Sequence, residues 1–98
     1  MSSLDVVKEV LSREGFNSME SFAHEWAYIM SLSKLEQYKA EVEYFEKKYG
    51  KAFEEFDSLV HQEKGREDFK KEEDLEDWQF ALDALKWWQE KLEGLQNA

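Results

Sequence analysis

Carboxylates are the commonest groups of chemical use in this sequence: 23 of its 98 residues are Asp or Glu. Glu43 and Glu46 stand three residues apart, and Glu54 and Asp57 repeat that spacing downstream. On a helix, positions three apart share a face. Such paired carboxylates are the one enzymatic signal in the chain. Other catalytic patterns are missing. His24 and His61 form neither an H-x-x-x-H nor an H-E-x-x-H spacing, and solvated surface His is the plain reading of both. There is no Cys, which removes a thiol nucleophile, a Cys-based zinc site and a disulfide scaffold. No serine lies in a G-x-S-x-G elbow, and the glycines at 15, 50, 65 and 94 form no phosphate loop.

The second chemistry on offer is binding. Between Glu67 and Asp77 stand seven acidic residues: Glu67, Asp68, Glu72, Glu73, Asp74, Glu76 and Asp77. The plain reading is a solvated loop followed by a helix N-terminus that favours negative charge. The functional reading is an electrostatic contact for a basic partner. With a net charge of -10 the chain is unsuited to direct contact with nucleic acid, since phosphates are bound by Lys and Arg. It suits a basic protein. Four Trp, four Tyr and seven Phe set it apart from a disordered acidic chain and predict a folded domain. Met1 is followed by polar and charged residues rather than a signal-peptide pattern, and no apolar run reaches membrane-spanning length. A cytoplasmic protein without a membrane segment is the expectation.

The elements that must position these groups are helical. Pro is absent, Gly is rare, and apolar residues recur at spacings of 3 and 4. A first helix is predicted over about Leu4–Glu14, capped by Ser2 or Ser3 and closed at Gly15. Asn17 is expected to cap a second, whose stripe is Met19, Phe22, Ala23, Trp26, Ile29 and Met30; a short buried strand over Trp26–Leu32 is the lesser reading. Ser33 and Glu36 fit a capping box for a heptad seam of Leu35, Tyr38, Val42, Phe45 and Tyr49. That seam lies roughly 160° around from the Met19 stripe, so a break near Ser31–Ser33 is expected, or else one helix packed on different neighbours along its length.

Gly50 is predicted to end the heptad helix, although the seam spacing continues through it. A short helix from about Ala52 to Glu63 follows, stopped by Gly65. Residues 66–74 read as a charged loop and 75–96 as the last helix, with Leu75, Trp78, Leu82, Leu85, Leu92 and Leu95 as its stripe. The whole is one all-α domain over residues 1–98: N-terminal helices in 1–32, the heptad and short helices in 33–65, then loop and last helix. A small bundle of four to five helices is expected, built on a long antiparallel pair.

Aromatic residues fall on both sides of these helices. Phe80 and Trp87 lie roughly opposite Trp78, with Ala84 between them, and Tyr44 lies opposite its own seam, as does Tyr28. Either the shorter helices cover them or they form an exposed patch for partner capture or self-association. The candidate partner-binding set is therefore Tyr44, Phe80, Ala84 and Trp87 with Glu72, Glu73, Asp74, Glu76 and Asp77. No catalytic residue, metal or cofactor is assigned.

Two resemblances bear on function. The order Glu43-x-x-Glu46 then Glu54-x-x-Asp57 is similar to that of all-helical Mg²⁺-dependent nucleotide pyrophosphohydrolases, but the spacer is short and that family's first acidic doublet is missing. The segments YKAEVEYFEKKYGKAFEEF, from Tyr38 to Phe56, and EDWQFALDALKWWQEKL, from Glu76 to Leu92, resemble small acidic helical antitoxin-like proteins of archaea and bacteria, often encoded beside a toxin. Ala52 departs from the Ser or Thr expected to cap the helix after Gly50. The second resemblance implies a binding module that masks a basic partner. The alternative is a self-associating helical protein, a homodimer for example, with no toxin partner.

Overall fold

The computed structural model describes residues 1–63 and 68–97. Among these the chain is all-α, with four helices: α1 Ser3–Arg13, α2 Met19–Tyr49, α3 Phe53–Gln62 and α4 Phe69–Gln96. Helix α1 starts as its sequence dictates. The Ser2 hydroxyl accepts from the Asp5 amide, and the Asp5 carboxylate accepts from the Ser2 amide at 3.1 Å. Gly15, at φ 91, turns the chain after it. Ser18 rather than Asn17 caps α2, accepting from the Ser21 amide at 3.0 Å.

Helix α2 does not break at Ser31–Ser33. It runs through all 31 residues, about 46 Å. Ser31 is buried and its hydroxyl donates to the Ala27 carbonyl at 2.7 Å, so it serves its own helix and caps nothing. The offset between the two stripes is absorbed in the second expected way: one helix meets Phe16 through Phe22 near its start, α4 along its seam and Phe56 of α3 through Tyr49 at its end. One side of α2 lies along α4 over most of its length, bringing Ala27, Ser31, Tyr38, Val42 and Phe45 inward, while Met19, Phe22, Trp26, Ile29 and Met30 remain exposed.

Gly50, at φ 60, ends α2 in the left-handed region, where a Cβ would be strained. Ala52 opens α3 without a side-chain cap, as its identity requires. The expected stop at Gly65 and the first two residues of the expected loop, 66 and 67, lie outside the described residues. The rest of that loop is helical: the Asp68 side chain accepts from the Lys70 and Lys71 amides and starts α4 at Phe69, five residues before Asp74. The charged run to Asp74 is thus the first turns of a helix whose acidic side chains favour its N-terminus.

Helices α2 and α4 are antiparallel. Lys48 and Tyr49 meet Asp74 near one end, Tyr38 meets Phe80 farther along, and His24 meets the Leu95 carbonyl at the other end. The core occupies the end that α3 closes. Val42, Phe45, Phe56, Trp78 and Ala81 are buried there, ringed by Tyr38, Tyr49, Phe53, Val60, Leu75, Leu82 and Leu85. Trp78 stacks on Phe45 at 5.7 Å and receives the edge of Phe53 at 5.5 Å. Its Nε1 is buried without a hydrogen-bond partner among the described residues.

Beyond this core the bundle thins to the α2–α4 pair. Helix α1 buries only Leu11; Leu4, Val6, Val7 and Val10 are exposed. The molecule measures 66 × 28 × 17 Å with a radius of gyration of 20.5 Å, against about 13 Å for a compact domain of this length.

Candidate protein-binding face

The seam that faces Val42 and Phe45 toward Trp78 necessarily turns Tyr44 away from the core. On α4 the same geometry places Phe80, Ala84 and Trp87 about one turn apart along one strip. Helix α3 packs on Trp78 through Phe53 and Phe56, on the core side of α4, and this strip stays exposed. Tyr44 is 58% exposed, Phe80 63% and Trp87 50%; Ala84 between them is half-buried. Tyr28, expected on the outside, is also half-buried.

These residues share one face of the helix pair. Tyr38, Tyr44 and Phe45 of α2 line an open groove of about 670 Å³ together with Asp77 and Phe80 of α4. The Tyr38 ring meets Phe80 edge-on at 6.0 Å. Farther along the pair, Ala27, Met30 and Ser31 of α2 form a second, more apolar groove with Trp87, Trp88 and Gly94 of α4. The small residues Ala27, Ser31 and Gly94 line it beside the two indoles. Trp87 stands edge-on to Trp88 at 4.8 Å, with Lys91 Nζ 5.1 Å from the Trp87 ring centroid.

The acidic residues divide. Glu72, Glu73, Glu76 and Asp77 are exposed. Glu76 and Asp77 lie one helical turn before Phe80, and Glu73 two turns before it, so the aromatic strip is bordered by carboxylates. Asp74 is not part of this border. It is 3% exposed, on the core side of α4, and its carboxylate accepts hydrogen bonds from the Tyr49 hydroxyl and from Lys48 Nζ, the latter at 2.6 Å; Lys70 Nζ stands 3.6 Å away. Burial opposes the charge on Asp74, but the hydrogen bonds from Lys48 and Tyr49 outweigh it and hold the carboxyl below its usual range. Burial and the bond to Asp74 push the Tyr49 hydroxyl up to about 12, and the same carboxylate raises Lys48. Asp74 therefore clasps α4 to the end of α2 and is removed from the partner-binding set.

Sequence reasoning had not found this clasp, nor the groove at Met30 and Trp88. The signal for the clasp was present: Asp74, Trp78, Ala81 and Leu85 follow a 4-3-4 spacing, which places the carboxylate on the core stripe.

Among the described residues no three His, Asp or Glu side chains are grouped to hold a metal ion, so Glu43, Glu46, Glu54 and Asp57 do not converge. Asp57 is instead engaged with His61 Nδ1 at 3.1 Å, and His24 Nε2 lies 3.1 Å from the Leu95 carbonyl oxygen. No helix among the described residues is long and apolar enough to cross a membrane. No protein-family model, curated protein or solved structure matches the chain.

Proposed function

We propose that this chain is an antitoxin-like protein-binding module that acts in the cytoplasm by masking a basic partner protein. The observation that carries the reading is the uncovered aromatic strip Tyr44, Phe80 and Trp87, bordered by Glu73, Glu76 and Asp77. Large aromatic side chains are the residues most enriched at the energetic centres of interfaces, and a rim of carboxylates selects a cationic partner and speeds its approach. The mechanism is steric and electrostatic: the aromatics fill a groove of the partner while the carboxylates cover its basic surface. The net charge of -10 and the resemblance of the Tyr38–Phe56 and Glu76–Leu92 segments to antitoxin-like proteins favour the same reading.

The test is a pull-down of the product of the neighbouring gene, by wild type and by the double variant Phe80→Ser, Trp87→Ser. The variant is expected to keep its helical circular dichroism and lose capture, since truncating an aromatic anchor costs about 2 kcal/mol or more. Capture by wild type should weaken at high salt, where the screening length falls to about 3 Å at 1 M. A neighbour that the double variant binds as tightly as wild type does would reject the assignment of this face.

A further inference from the structure

The N-terminal third of the molecule presents a different problem from the strip above. Phe22, Trp26 and Ile29 of α2 face away from α4, and Leu4 and Val7 of α1 lie on the face of buried Leu11 yet are exposed themselves. Phe16 meets the edge of Phe22 at 5.3 Å and Phe22 stacks on Trp26 at 6.5 Å, so the apolar surface is continuous across the turn between the two helices. Trp26 is 55% exposed. An isolated helix as short as the 11 residues of α1 is marginal in water, and it holds its shape only when its apolar face is covered.

We propose that this face, formed by α1 and the first half of α2, is covered by the same face of a second copy of this chain. Area supports a protein-sized cover. The accessible surface is 7585 Å², whereas a compact monomer of this mass exposes about 5,900 Å². That excess is spread over the whole elongated molecule, and an interface of standard size needs roughly 800 Å² from each partner. Charge selects the occupant. No charged residue stands between Glu25 and Lys34, so this is where two chains of net charge -10 can meet with least repulsion. The contact is isologous, with each copy offering the same residues. It does not depend on the partner-masking reading.

Sedimentation of the full chain tests it. Wild type is expected at twice 11.8 kDa in low and high salt alike, because the contact is apolar. The double variant Trp26→Glu, Ile29→Glu should sediment as a helical monomer, and Phe80→Ser, Trp87→Ser should remain a dimer. A monomeric wild type, or a dimer unaffected by Trp26→Glu, Ile29→Glu, overturns the proposal. So does a dimer that only the Phe80 and Trp87 changes dissociate. A second readout avoids buried charge. The chain has no Cys, so one spin label can be placed at Glu25→Cys beside the face, or at Ser58→Cys on α3. Dipolar coupling between copies should be stronger for the label at 25; stronger coupling at 58, or none at 25, refutes the arrangement.

Discussion

Replacing Asp74 by Ala removes the acceptor for two hydrogen bonds in one step. Its carboxylate is 3% exposed and holds Tyr49 and Lys48, both at the C-terminal end of α2, against α4. A hydrogen bond to a charged group contributes about 1.5–3 kcal/mol, and stranding a buried partner adds its desolvation cost. Lys48 is one-third exposed and regains water, so its share is small. The Tyr49 hydroxyl is less able to do so, and the expected loss is about 2–4 kcal/mol, or roughly 10–25 °C in Tm for a chain of this size. Urea denaturation at fixed protein concentration measures it, with Asp77→Ala as the exposed control, expected within about 0.5 kcal/mol of wild type. The pH dependence supplies a second check. Because the folded carboxyl titrates below its unfolded value, the unfolded state binds more protons as acid is added. The stabilisation is thus complete above about pH 4 and is lost as pH falls through the folded value. The gap between wild type and Asp74→Asn should narrow on acidification. Equal midpoints for Asp74→Ala and Asp77→Ala, or a gap that does not change with pH, would refute the clasp.

Val42→Asp should lower the denaturation midpoint far more than Glu43→Ala, because Val42 is buried beside Phe45 and Trp78 while Glu43 is exposed; a buried unpaired charge costs several kcal/mol and a surface change about 0.5. At the alkaline limb the sign reverses. Tyr49, raised to about 12 in the fold, contributes stability that is complete below its unfolded value near 10 and is lost as pH rises through 12, so Tyr49→Phe should flatten the alkaline loss of midpoint.

The parts of this fold legible in the sequence are those where one signal acts alone. The Leu35–Tyr49 seam, the Gly50 stop and the Trp78 stripe each stand where their spacing placed them. Ser33 misled because a serine followed three residues on by Glu36 reads as a cap only if the backbone before it leaves the helix, and nothing forces it to: the Ser31 hydroxyl returns to Ala27 instead. The run before Leu75 misled because charge density suggested a loop, whereas Asp68 starts a helix there. On the candidate face, the placement of Phe80 and Trp87 away from the core followed from helical angles alone. That Tyr44 joins them on one side of the pair did not, since it depends on how α2 and α4 are rotated against each other. Asp74 was hidden for a related reason: a carboxylate on a core stripe means either a functional site or a buried pair, and its partners Lys48 and Tyr49 lie 25 and more residues away.

The antiparallel pairing of α2 and α4 also sets an order of assembly. Contacts at the α3 end, such as Tyr49 with Asp74, join residues 25 apart in the chain, while His24 and Leu95 are 71 apart. Closing the longer loop directly costs about 0.9 kcal/mol more in chain entropy. The pair therefore zips from the Asp74 end outward, each turn shortening the loop that the next must close. The N-terminal half of α2 comes to rest against α4 last, so its charge-free stretch is held rigid and presented on one side only once the core has formed.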